Sequence, residues 1–280
     1  MKKNGLKPLG GQALIEGVMI KAPDNISIAV RLPNKKIKTK KDRFVSATQR
    51  HMLLNLPFIR GVIHLWEMMV VGIKALTWSA NQQGEKEELG TKEWIITFGM
   101  AIILTIGLFI LLPYYGAKFF YDSHTIKFGL LDGIIRLLVF LLYLFAIGFM
   151  ADVRRMFQYH GAEHMAVHCY EHKLPLKVQN VKRFPPEHPR CGTSLLIFVV
   201  AVSIVLFSVI RTPHWYYNLP ARIFLIPVIA GISYELLKWS ARYSWLKWLS
   251  YPGIWTQKLT TRQPDSKQIE VAIAAVNKAK

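Results

Sequence analysis

Five of the nine histidines cluster at His160, His164, His168, His172 and His188, and both cysteines, Cys169 and Cys191, lie in or beside the same stretch. Within it, His160-Gly161-Ala162-Glu163-His164 reads H-x-x-E-H, the order of inverted zincin sites. Residues i and i+4 stand above one another on a helix, so His160 and His164 are placed to share one divalent metal ion, zinc first among the choices. Glu163 lies about 100° around the helix from His164 and is the candidate catalytic base. Glu171 falls at a helical angle between those of the two histidines. Cys169 falls nearly opposite His160 and is not expected to join them.

One helix offers too few ligands, so a third must come from elsewhere in the chain. His188 ranks first, because Pro189 holds it in a loop returning toward an apolar segment. Glu235 is next, because a carboxylate inside an apolar stretch needs a cation. Cys191 and Glu16 follow. Thr193 or Ser194 reads as the cap of the next helix. With Arg190 beside that N-terminus, an anionic headgroup would dock there, making Arg190 and Thr193 the expected anion-binding pair. The rival to a metal site is a histidine-rich loop that binds lipid phosphate or responds to pH.

The elements that must position these residues are mostly apolar. The chain has 280 residues, of which 52% are hydrophobic, 12% aromatic and 19% charged. Its mean hydropathy is +0.24, and the apolar residues come in blocks rather than scattered. Four stretches approach the roughly 20 residues needed to cross a bilayer: 94–117, 137–151, 191–210 and 223–237. The last contains Pro227, Gly231 and Glu235, as expected of a kinked helix facing other helices.

Basic residues set the orientation. Residues 1–92 carry 16 Lys/Arg, the loop 151–193 seven and the tail 238–280 eight, while the intervening loops are poor. By the positive-inside rule, both termini and the middle loop are cytoplasmic. The stretch 58–80 is also apolar, but Arg60, His64, Glu67 and Lys74 mark one helical face. A fifth span would separate the two basic ends. We therefore read 58–80 as an interfacial or re-entrant amphipathic helix, the alternative being a span whose polar stripe faces a cavity.

The remaining pieces are water-soluble in character. Runs 13–20, 26–32 and 35–39 read as strands of a small meander separated by Pro-Asp-Asn and Pro-Asn turns, and 267–279 as a short amphipathic helix. A net charge of +19 would on a soluble protein point to nucleic acid. Here it goes with membrane lipid, since no aromatic interleaving or nucleic-acid fold accompanies it. Two cysteines exclude a disulfide-dense secreted scaffold. No cleavable signal peptide is expected, because no apolar run follows the basic N-terminus.

Five ordered blocks carry a resemblance: residues 10–19 (GGQALIEGVM), 157–164 (FQYHGAEH), 188–194 (HPRCGTS), 231–235 (GISYE), and 252–255 (PGIW) with Thr260-Thr261-Arg262. In these the chain resembles the YqhQ family of bacterial inner-membrane proteins, a domain of unknown function predicted to be a metal-dependent enzyme. The resemblance covers almost the whole chain and draws Glu16 into the candidate ligand set.

The expected architecture is a mainly α polytopic membrane protein. It has a cytoplasmic β-rich segment over 1–57, an amphipathic helix over 58–80, and a four-span domain over 94–237 that includes a cytoplasmic histidine-rich loop over 152–190. A cytoplasmic segment over 238–280 ends the chain. The expected function is a hydrolase-type metal site at the cytoplasmic membrane face, acting on a lipid headgroup or a peptide. A non-enzymatic scaffold or small transporter is the alternative.

Overall fold

The computed structural model describes residues 6–84, 91–189, 191–209 and 215–280. Strands β1 (Gly10–Leu14), β2 (Gly17–Lys21), β3 (Asn25–Arg31) and β4 (Ile37–Arg43) form an antiparallel meander in the order β1-β2-β3-β4. The run expected as one strand over 13–20 is instead a hairpin. Leu14 pairs with Gly17 across a turn of Ile15 and Glu16, with Glu16 at φ 53°. Positive φ at a two-residue turn matches the twist of the flanking strands. The strand expected at 35–39 begins later, at Ile37, because Lys35 takes φ 67° in the turn before it.

Both faces of the sheet are covered. Val18, Ile20 and Ala29 join a core with α6 (Ala151–Glu171) and α12 (Ser266–Ala279). Leu14, Met19, Ile28 and Val30 join another with α2 (Ile59–Gln82). Burial on both sides is why β2 and β3 read as continuous apolar runs rather than alternating ones. The edge strand β4 is exposed and basic, which discourages pairing with another chain.

A single turn, α1 (Ala47–Arg50), precedes α2. Next, α3 (Thr91–Ile106) and α4 (Leu112–Lys118) run together through a π-turn at Gly107–Leu111. Then come α5 (Ile126–Ile147), α6, the short α7 (Val178–Val181), α8 (Gly192–Val209), α9 (Trp215–Phe224), α10 (Ile226–Arg242), α11 (Tyr251–Thr260) and α12. The α3–α4 rod, α5 and α8 are long and apolar enough to cross a membrane. The pair α9 and α10, bent by 42°, makes a fourth candidate if counted as one span.

Two of these depart from expectation. The second apolar helix starts at Ile126, well before 137, because its charges are paired inside the fold. Asp132 accepts hydrogen bonds from Arg136 and from Arg222 of α9, each at 2.9 Å. Arg222 also donates to Asn218, and its guanidinium lies 4.9 Å from the Phe207 ring, which Arg136 covers from 4.5 Å. The fourth segment is longer than 223–237 and broken, with Pro227 in the first turn of α10.

The polar stripe of α2 turns mostly inward. Arg60 reaches Glu235 on α10, and Glu67 accepts from the Ser46 hydroxyl and the Ala47 N–H at the start of α1, each at 2.6 Å. His64 lies 3.4 Å from both Ser46 and Thr48, whereas Lys74 is exposed. At the chain's end, Asp265 and Gln268 form a capping box for α12. The Ser27 hydroxyl of β3 donates to the Ala275 carbonyl at 2.7 Å, so the first and last elements form one body with α6.

Candidate metal centre

On α6, Tyr159, Ala162, Met165, Ala166 and Cys169 pack into the core shared with the sheet and α12. That leaves His160, Glu163 and His164 for another face. Two segments close over it: the loop before α8, and the end of α11 with the residues that follow. Gly161 permits this approach, since a Cβ there would lie 2.3 Å from the Arg262 carbonyl. The Arg262 N–H in turn donates to the Phe157 carbonyl at 3.0 Å.

The two imidazoles are fixed by carbonyls. His160 Nδ1 lies 2.9 Å from the Thr260 oxygen, and His164 Nδ1 lies 2.6 Å from the Pro186 oxygen. A carbonyl only accepts, so each Nδ1 carries a proton, and in the neutral ring Nε2 is the nitrogen that presents a lone pair. Those Nε2 atoms converge with the Cys191 sulfur. His160 Nε2 is 3.2 Å from it, and one ligand atom from each of His160, His164 and Cys191 lies within 4.8 Å of the others. Among the described residues this is the one group of three that could hold an ion. Two neutral imidazoles and a thiol are a donor set that suits zinc, with a fourth position left for water or substrate.

The surroundings are arranged for this set. Burial pushes the His164 pKa down, favouring the neutral ring that binds metal. The Thr193 hydroxyl and N–H lie 3.1 and 3.3 Å from the Cys191 sulfur, donors a metal-bound thiolate accepts. Thr193, expected to bind an anion, thus attends the cysteine. Glu163 Oε2 is 3.5 Å from His164 Nε2, and burial pushes this carboxyl up to about 7. Gly11 of β1 lies against it: a Cβ there would come within 2.7 Å of Glu163 Oε1.

The other expected ligands are placed differently. Glu235 is gripped by the Arg60 guanidinium through two hydrogen bonds of 2.6 and 2.5 Å, so a side chain supplies the cation it needed. Glu16 sits at the β1–β2 turn, paired with Arg155 and accepting from the Tyr159 hydroxyl. Cys191 takes the place in the group for which His188 ranked first. The His188 ring is 4.4 Å from that of His168 and 5.7 Å from that of His164, and its Nε2 is 3.5 Å from Glu171. Arg190 lies outside the described residues.

Gln257 was not anticipated. Its side-chain oxygen accepts the His188 N–H, and its nitrogen donates to the His188 carbonyl and the Ser194 hydroxyl. It is buried and pins the loop carrying Cys191 to α11. The polar pair Thr256-Gln257 between Trp255 and Lys258 was the available signal, but nothing local distinguishes a clasp from a solvated amide.

The family profile for DUF1385, a protein of unknown function, matches residues 56–280, which include all three clustered residues. The Uncharacterized protein YqhQ of Bacillus subtilis (strain 168) is 30% identical over 299 residues, spanning 99% of this chain and 94% of that protein. No solved structure matches.

Proposed function

The chain belongs to the DUF1385 family, and from the convergence of His160, His164 and Cys191 we propose that it is a metal-dependent hydrolase of the bacterial inner membrane. The carrying observation is that one ring nitrogen of each histidine and the Cys191 sulfur lie within 4.8 Å of one another, while each Nδ1 already faces a carbonyl oxygen. A zinc ion held there would supply Lewis acidity to a carbonyl or phosphoryl oxygen of the substrate.

The chain's own residues do the rest. His160 and His164 keep their orientation through Thr260 and Pro186. Glu163, whose carboxyl burial pushes up to about 7, takes on Oε2 a proton from the attacking water and gives it to the leaving group as the scissile bond breaks. Gly11 leaves room for that carboxyl, which a Cβ at that position would strike. The substrate is a lipid headgroup or a peptide held at the membrane surface.

Packing supports the placement. The sheet, α6 and α12 share one core, so they lie on one side of any membrane. Two apolar segments, α3–α4 and α5, separate the sheet from α6, and two more, α8 and α9–α10, separate α6 from α12. Four spans satisfy both parities. A spanning α2 would satisfy neither the first parity nor the contact between β1 and Glu163. With four spans the basic segments at both ends and in the middle are cytoplasmic, and the metal site opens there.

Elemental analysis of detergent-purified protein tests the reading. About one zinc per chain, lost in His164→Ala and in Cys191→Ser, is the expected result. A second reading, a membrane scaffold or small transporter, draws on the Asp132–Arg136–Arg222 network, since charges inside apolar helices mark transport paths. Metal-free protein that is fully folded would favour it.

A further inference from the structure

Between Glu235 and Asp265 the sequence has no acidic residue. It has five basic ones, Lys238, Arg242, Lys247, Lys258 and Arg262, and four of the chain's eight tryptophans, Trp239, Trp245, Trp248 and Trp255. The fold uses one side of this stretch. On α11, Gly253, Thr256, Gln257 and Thr260 are buried against the loop and helix that carry Cys191. The opposite side, Tyr251, Trp255 and Lys258, is exposed, and so are Trp245 and Trp248 in the preceding turn. Trp245 is 73% exposed and Trp255 is 64% exposed. Pro252 and Ile254 complete a shallow open groove of about 480 Å³ with Tyr251, Trp255 and Lys258.

An apolar surface of this kind is covered by something. Its composition says what. Trp and Tyr prefer the level of lipid headgroups, where the ring is half in and half out of water, and Lys reaches the phosphates beside them. The charge on the stretch is of one sign, so the occupant is anionic. The location agrees: α11 lies across the N-terminal end of α8, where Gly253 meets Ser194, at the mouth of a segment apolar enough to span.

We infer that the outward face of α11, with Trp245 and Trp248, seats in the anionic headgroup layer of the membrane and binds an anionic phospholipid in its groove. Lys258 meets the phosphate, and Tyr251 and Trp255 lie along the glycerol and upper acyl region. The buried face of the same helix holds His160 through Thr260 and the Cys191 loop through Gln257. One helix therefore links the metal cluster to the headgroup layer, about 10 Å away across its diameter. The inference stands on exposure and charge and does not require that a metal be bound.

The test uses full-length protein carrying Tyr251→Cys or Trp255→Cys, labelled with bimane and reconstituted in vesicles. Cys169 and Cys191 are buried, so the unsubstituted protein gives the labelling background. Phosphatidylglycerol brominated in the upper acyl chain should quench both labels strongly, while aqueous iodide should not. Lys247→Gln/Lys258→Gln should reduce the preference for phosphatidylglycerol over phosphatidylcholine by about fivefold per charge. Free access of iodide would overturn the inference in favour of a solvated face. Resistance to both quenchers would overturn it in favour of a second copy or another protein covering α11. Should Trp255→Cys fail to fold, Tyr251→Cys reports on the same groove. Zinc content measured in the same samples separates this outcome from the fate of the metal reading.

Discussion

Which nitrogen each imidazole presents governs the cluster. His160 and His164 both give Nδ1 to a carbonyl, and their ring centroids stand 4.3 Å apart. The third position decides between two histories for the site. If Cys191 is the ligand, the cobalt-substituted protein shows a thiolate-to-cobalt absorption band, which Cys191→Ser abolishes and His188→Ala keeps. Absence of that band from the unsubstituted protein, with cobalt lost in His188→Ala and kept in Cys191→Ser, would return His188 to the role its place in the sequence suggested. Gly161 carries a second expectation. Its Cβ would strike the Arg262 carbonyl, a backbone atom that cannot swing aside, so Gly161→Ala should cost about 1–3 kcal/mol. If the cluster holds zinc as proposed, it should also lower zinc occupancy, because the residue lies between His160 and His164. An unchanged melting temperature and full zinc would show that the α6–Arg262 contact has room for a methyl group.

Among the elements, charge pairs lock helices together at sites distinct from the His160, His164 and Cys191 group. Arg60 of α2 and Glu235 of α10 form one such lock. Glu235→Gln should leave the zinc content unchanged; its loss would make Glu235 a ligand after all. The other lock joins α5 to α9. Asp132, Arg136 and Arg222 are all buried, and the single carboxylate serves two guanidiniums whose remaining surface rests on aromatic rings. Removing that carboxylate strands two buried cations. Asp132→Asn should therefore destabilise the folded protein by about 3–5 kcal/mol, measured as unfolding in mixed detergent micelles. A change under 1 kcal/mol, within the range of a surface pair, would mean that water reaches the network.

For the whole molecule, the decisive feature is that the chain's two ends meet. The Asn25 side chain donates to the Ala279 carbonyl and Ser27 to the Ala275 carbonyl, so the sheet and the last helix are inseparable. This converts a question about insertion into one about parity. A reporter active only in the periplasm, fused after Lys280, should be inactive, as should the same reporter placed before the sheet. Activity at one end alone would require the sheet and α12 to come apart.

Much of this was legible in the sequence, for a definable reason. Apolar blocks, the four-residue spacing of His160 and His164, the turn residues of the meander and the single polar face of α2 are local properties. They depend on side-chain type and period, which neighbours along the chain hardly alter. The hairpin at Ile15-Glu16 and the early start of α5 were not legible. One depends on a positive φ at a residue other than glycine, and the other on a partner for Asp132 ninety positions away, at Arg222. The roles of the carboxylates and of His188 were equally hidden. Glu16, Glu163 and Glu235 look alike as acids in apolar surroundings. Two of them lie beside arginines, Arg155 and Arg60, and the third lies beside a histidine of the cluster. Sequence by itself determined that this chain is apolar-helical with a small sheet and a paired-histidine helix, because burial and helical period act over a few residues. Only the tertiary structure decided that Cys191, rather than His188, Glu235 or Glu16, comes within 4.8 Å of both His160 and His164, because such a grouping depends on which donor atoms long-range contacts leave uncommitted and bring within a few ångströms of one another.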